Sequence, residues 1–197
     1  MADISQQKKL LRQRFLAQRR ALPAEERQRR CSLITENLIG SDIYRQCGTL
    51  LLYISTPLEI DTFSILHKAQ KDGKRIACPR CISADGLMTF HVIDSPEQLQ
   101  TGSYGIMEPP ESLPQAENTA DALCILPALA CDRIGLRLGY GKGYYDRFLA
   151  GFCGVSAVLC YGDALLDSLP HDRYDRHADW LVNEHGIFPC PVNVTEV

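Results

Sequence analysis

The chain has no apolar run approaching the ~18 residues that suggest a membrane-spanning helix, so no membrane partner is expected. Its opening residues are polar and basic, and no secretory leader is expected. No internal repeat and no convincing domain boundary interrupt it. The five histidines form no metal-spaced cluster, and none lies near the glycine-rich run described below. No Ser/His/Asp or Cys/His arrangement is visible. The nine cysteines are an odd count, scattered through 197 residues. A chain of that length does not need disulfide staples, so they read as free thiols in a reducing cytoplasm. Cys78-Pro-Arg-Cys81 has the C-x-x-C form, but a structural zinc site needs a second ligand pair. Buried thiols near strand ends explain it better.

What remains is one soluble domain spanning residues 1–197, with a core of ordinary size. The formal charge is −3 but unevenly spread. Residues 8–30 hold nine basic side chains against Glu25 and Glu26, so the rest of the chain is acidic. A basic N-terminal element on an acidic body suits an anionic ligand, whereas a solvated helix face accounts equally well for most of these residues. The acidic body and the lack of a recognition motif argue against nucleic acid.

Residues 4–20 carry apolar positions at Ile4, Leu10, Leu11, Phe15 and Leu16, which predicts an amphipathic helix with a wide basic face. Pro23 suits the first turn of a second helix that runs to about Ile39 and stops at Gly40. Short apolar runs predict strands at Thr49–Ile54, Arg75–Cys78 (halted by Pro79), Leu87–Ile93, Ala122–Leu126, Val155–Tyr161 and Trp180–Val182. Asp61 is the expected N-cap of a helix ending before Gly73, and another helix is expected over Lys142–Leu149. Residues 94–120, rich in proline, glycine and polar side chains, read as a long loop, and such loops are often functional. Alternating strands and helices imply an α/β protein, a three-layer α/β/α sandwich with a mainly parallel, Rossmann-like sheet. Its ligands lie beyond the carboxyl ends of the strands.

The most informative stretch is Arg137-Leu-Gly-Tyr-Gly-Lys-Gly-Tyr-Tyr-Asp146. Glycines let a backbone approach a ligand closely and turn its N–H groups toward an anion. Arg137 and Lys142 add positive charge, and Asp146 is a candidate ligand for a divalent cation. The G-x-G-x-G spacing departs from the dinucleotide fingerprint G-x-G-x-x-G. Lys142 is followed by Gly143 rather than the Ser or Thr of a Walker A loop. A phosphate site here is therefore of another type. Asp172, Asp175 and Asp179 are each candidates to complete a magnesium site with Asp146, since magnesium takes only one or two carboxylates beside phosphate oxygens. Glu59, after a strand and a turn, is placed to meet polar groups of a ligand.

With Leu126-Pro-Ala-Leu-Ala-Cys-Asp132, Gly135 and Arg147-Phe-Leu149, this stretch resembles the 5-formyltetrahydrofolate cyclo-ligase family, also called methenyltetrahydrofolate synthetases. The resemblance covers nearly the whole chain: Lys8-x-x-x-Arg12, Arg20-Ala-Leu, Tyr53-Ile-Ser with Glu59, Gly73-Lys, Pro79, Gly105-Ile with Glu108-Pro109, and the Asp175 to Glu184 tail. It implies ATP- and Mg²⁺-dependent cyclisation of 5-formyltetrahydrofolate to 5,10-methenyltetrahydrofolate. By matching position, Lys8, Arg12, Arg137, Leu138, Gly139, Tyr140, Gly141, Lys142, Gly143, Tyr144 and Tyr145 would bind ATP. Ile54, Glu59 and residues Tyr140 to Tyr144 would bind folate, and Asp146 with Asp175 would hold Mg²⁺. Arg137, Lys142 and Tyr144 would carry catalysis. A monomer is expected, and a polyglutamate tail on the substrate would meet Arg19 and Arg20. Cys131 stands where the family usually has an aromatic residue and Asn183 where it often has threonine, which touches packing rather than charge.

Overall fold

A computed structural model describes residues 3–82, 86–102, 105–117 and 119–191. The helices are α1 Ile4–Ala21, α2 Ala24–Ile39, α3 Asp42–Gln46, α4 Phe63–Lys71 and α5 Tyr144–Leu149. The strands are β1 Thr49–Leu52, β2 Arg75–Cys81, β3 Met88–Ile93, β4 Gln100–Thr101, β5 Met107–Glu108, β6 Ala122–Pro127, β7 Ala130–Asp132, β8 Arg137–Leu138, β9 Val155–Leu159, β10 Leu165–Leu166, β11 Trp180–Asn183 and β12 Gly186–Pro189. Among the described residues no helix is long and apolar enough to cross a membrane.

Seven strands form one sheet in the order β12-β11-β9-β6-β1-β2-β3. Its centre is parallel, and only the edge strands β12 and β3 run antiparallel. Thr49–Leu52 and Ala122–Leu126 are buried throughout, as the middle strands of a two-sided sheet must be. The β1–α4–β2 connection moves toward one edge, and the β6-to-β9 connection, which contains α5, moves toward the other. Right-handed crossovers therefore place α4 and α5 on opposite faces, which makes three layers. Helix α2 packs beside α4 and on β11. On the α5 side, Phe148 meets Phe90 of β3 at 4.7 Å and Phe152 at 5.3 Å.

Two sequence expectations are corrected. Pro79 does not halt its strand; β2 continues to Cys81, with Pro79 opposite Phe90. The Phe90 carbonyl accepts from Ala116 N at 2.8 Å, so Phe90 turns its backbone groups away from β2. On the other side, the β1 register ends with Leu51 opposite Ala77. Pro79 therefore interrupts neither the ladder with β3 nor the residue pairs formed with β1, and the strand can continue past it. The 94–120 loop is also more ordered than expected. It contains a 3₁₀ turn at Pro96–Gln98, capped by the Ser95 side chain, and the β4–β5 pair. Smaller boundary shifts have local causes: Asp61 caps α4 by accepting from Phe63 N at 3.2 Å, although the helix begins two residues later.

Helix α1 departs from a simple amphipathic reading. Leu10 is exposed, whereas the buried positions are Phe15 and Arg19. The Arg19 guanidinium donates to the Leu58 carbonyl at 3.2 Å and to the Ala128 carbonyl. It ties the segment after β1 to the segment after β6, on the rim where the site forms. Arg19 is only 4% exposed, so it is closed to a polyglutamate tail, whereas its neighbour Arg20 is exposed.

Candidate active site

The sheet reverses direction of growth between β1 and β6, and the carboxyl ends of strands at such a switch point form a crevice. A cavity of about 390 Å³ lies there. It is lined by Tyr53, Ile54 and Thr56 after β1, by Pro79 and Cys81 at the end of β2, and by Pro127 at the end of β6. Every residue that the family resemblance assigns to ATP, folate or magnesium also lines it, from Lys8 and Arg12 of α1, through Ile54, Glu59 and the whole Arg137–Asp146 run, to Asp175; Asp172 and Asp179, the other magnesium candidates, do not.

The glycine run is the pivot. β8 ends at Leu138, and the chain then bends until α5 begins at Tyr144. Gly141 has φ +95°, and a Cβ there would lie 3.1 Å from the Arg12 guanidinium carbon. Gly143 caps α5 in the left-handed region, φ +71°. These positions need glycine for both dihedral and space. The Gly139 carbonyl accepts from Arg12 Nε at 2.8 Å, which docks the loop on α1. Lys8 and Arg12, one helical turn apart, therefore face the cavity together.

Charge is concentrated on one side. Lys8 Nζ lies 2.5 Å from Asp175 Oδ2, which also accepts from Asp172 N. Arg137, its side chain 4% exposed, donates to Asp146 Oδ1 at 2.9 Å and to the Arg176 carbonyl at 2.8 Å. The Arg176 amide donates to the same Asp146 oxygen at 3.2 Å, which sets Asp146 beside the Asp175 backbone. Each of these carboxylates thus commits one oxygen and keeps the other without a hydrogen bond among the described residues. No group of three or more His, Cys, Asp or Glu suited to a metal occurs among the described residues. Two carboxylates, each with one open oxygen, suit a hard cation that arrives with phosphate oxygens.

The opposite side is apolar and aromatic. Pro79, Met88, Ile106 and Met107 line it, with Tyr53 and Ile54. Glu59 accepts from Thr56 N at 2.8 Å, which fixes the turn that presents it. The Tyr140 hydroxyl meets Glu59 and Arg19; burial of that end, with the adjacent Glu59 charge, pushes its pKa up to about 12. Tyr145 also lines the cavity, and its buried hydroxyl has no hydrogen-bond partner among the described residues. Burial likewise raises the Cys81 thiol to about 11, so the C-x-x-C pair is unactivated, as expected of packed thiols.

Sequence reading missed Tyr53, Cys81, Met88 and Glu108 as lining residues. The strand ends were a usable signal, because ligands of such sheets collect there. Glu108 comes from the long segment whose length already suggested function.

A family model described as the 5-formyltetrahydrofolate cyclo-ligase family matches residues 4–184. A Schizosaccharomyces pombe protein named "Probable 5-formyltetrahydrofolate cyclo-ligase" is 33% identical over 170 residues, covering 78% of this chain and 83% of its own. The Mus musculus 5-formyltetrahydrofolate cyclo-ligase is 29% identical, covering 92% of this chain and 95% of its own. The solved structure of Aquifex aeolicus 5,10-methenyltetrahydrofolate synthetase superimposes with a TM-score of 0.83 at 28% identity, covering 96% of each chain.

Proposed function

This chain belongs to the 5-formyltetrahydrofolate cyclo-ligase family, and from that premise we propose that it joins N10 of 5-formyltetrahydrofolate to the formyl carbon at the expense of ATP. The observation that carries the reading is the convergence of α1 cations, the glycine run and two carboxylates on one cavity with an apolar, aromatic wall. The formyl oxygen is amide-like and leaves poorly. In the proposed reaction it accepts the γ-phosphoryl group of ATP, giving ADP. N10 then attacks the formyl carbon and loses its proton. The carbon–oxygen bond breaks, phosphate leaves, and 5,10-methenyltetrahydrofolate results.

Such a transfer demands charge neutralisation and in-line positioning rather than a covalent nucleophile. Lys8, Arg12, Lys142 and the amides of the glycine run would hold the triphosphate, with Arg137 beneath them. Ile54, Glu59 and Tyr140 would orient the folate, and Tyr144 would stand beside the reacting groups. Asp146 and Asp175 would hold Mg²⁺ through their uncommitted oxygens; when bound, it would neutralise phosphate charge. We further propose a single catalytic domain, working as a cytoplasmic monomer.

The test is direct. The purified protein is mixed with 5-formyltetrahydrofolate and Mg²⁺, with and without ATP, and the methenyl product is followed by absorbance. Product should form only with ATP and be matched by ADP. Folate and nucleotide binding without turnover would leave a non-catalytic binder and overturn the proposal.

A further inference from the structure

Glu108 has no role in the reaction described above, yet it is 4% exposed and lines the cavity. It sits on β5, and a Cβ on Gly102 would fall 2.5 Å from its carboxyl carbon, so the absence of a side chain at 102 makes room for it. The Cys81 thiol lies close to it and to the Tyr144 hydroxyl. Among the described residues no cation pairs with it: Lys8 is held by Asp175, Arg137 by Asp146, and Arg80 turns to the Pro109 carbonyl and to Glu111. A buried carboxylate is costly to keep without strong donors. Pro79, Cys81, Met88 and Met107 line the same cavity, and they suit a flat, largely apolar ring system.

We propose that Glu108 is a specificity-determining residue that accepts two parallel hydrogen bonds from the N3–H and 2-amino group of the reduced pterin ring. This rests on the folate reading above. The pyrimidine edge of that ring offers two donors side by side, the arrangement that a carboxylate matches with its two oxygens. A carboxylate so placed orients the ring in its plane, with the N5-formyl end directed toward the charged side of the cavity. It also rejects ring systems without the amino group, because the buried carboxylate would then lack its donors.

The experiment is a binding titration without ATP, using 5-formyltetrahydrofolate and its 2-desamino analogue, on the wild-type protein and on Glu108→Gln. Wild type should prefer the natural compound by ~10- to 100-fold, the range for one bidentate pair. In Glu108→Gln, which keeps the size of the side chain, the preference should fall to ~3-fold or less, while ATP affinity stays unchanged. Equal binding of both compounds by wild type would overturn the proposal without recourse to a variant. So would an undiminished preference in Glu108→Gln. If wild type bound neither compound, the folate reading would fall and take this inference with it, a result distinct from equal binding of both.

Discussion

Asp146 holds Arg137 and the Arg176 amide through a single oxygen, so its replacement has two separable consequences. Asp146→Asn keeps an acceptor for both donors and removes the charge. It should lower kcat/KM by at least ~100-fold, the scale of lost charge stabilisation in a transition state, with a smaller fall in Tm than Asp146→Ala because the hydrogen bonds survive. Asp146→Ala should lose as much activity and also stability, because it strands a buried guanidinium, a change worth about 3–5 kcal/mol. Lys142→Ala should cost a similar ~100-fold in kcat/KM. Near wild-type turnover in Asp146→Asn and Lys142→Ala, with folding verified by thermal melts, would remove both residues from the mechanism. Arg19 and Arg20, equivalent in the sequence, separate in the same way. Arg19→Ala leaves the Leu58 and Ala128 carbonyls without their donor and should cost about 2–4 kcal/mol in urea unfolding, whereas Arg20→Ala should be neutral within about 0.5 kcal/mol. Equal losses would contradict the buried placement of Arg19.

Helix α1 and the glycine run act as one unit, because Arg12 donates to Gly139 and packs on the open face of Gly141. Gly141→Ala would force a side chain to φ +95° and press a methyl group toward the Arg12 guanidinium. It should raise the KM for ATP well above that of wild type while Tm falls by only a few degrees, since the loop lies outside the core; an unchanged KM would separate the loop from nucleotide binding. The glycine run was legible because its composition is improbable for any purpose other than close approach. The central strands were legible because both faces are covered and their residues are apolar throughout. Arg19 was not, because its charge conceals a buried position whose partners lie some forty and more than a hundred residues away. The course of β2 through Pro79 depends on which neighbours β1 and β3 present at that level, which is tertiary information. Glu108 stands out in the sequence only as part of a family pattern, since nothing local indicates that a carboxylate in a proline-rich segment turns inward.

The fold as a whole should be sensitive to alkali rather than to redox state. All nine cysteines are free, and only Cys153 is exposed. Burial raises Cys78 to about 12, and Cys81 and Cys190 to about 11, from an ordinary 9.0. Burial pushes Cys124 and the hydroxyls of Tyr53 and Tyr145 upward too. The sign follows from proton counts. Below the unfolded value both states hold the proton, and stability is at its full level. Above it, the unfolded chain releases protons that the folded chain retains, so stability falls as pH rises toward the folded values. Each fully buried thiol then contributes a slope of about 1.4 kcal/mol per pH unit. Urea midpoints measured under reductant should be flat from pH 7 to 8.5 and drop steeply above pH 9. Cys78, on β2 between β1 and the edge strand β3 and without exposure, gives the sharpest control. Cys78→Ala removes a sulfur and should lower stability at pH 7 by roughly 1 kcal/mol, but the slope above pH 9 should become shallower by nearly the amount of one group. The two effects have opposite sign at high pH, so the stability curves of variant and wild type should converge there. Parallel curves would show that the Cys78 thiol keeps its ordinary acidity in the folded protein, and the alkaline sensitivity would then lie with the tyrosines.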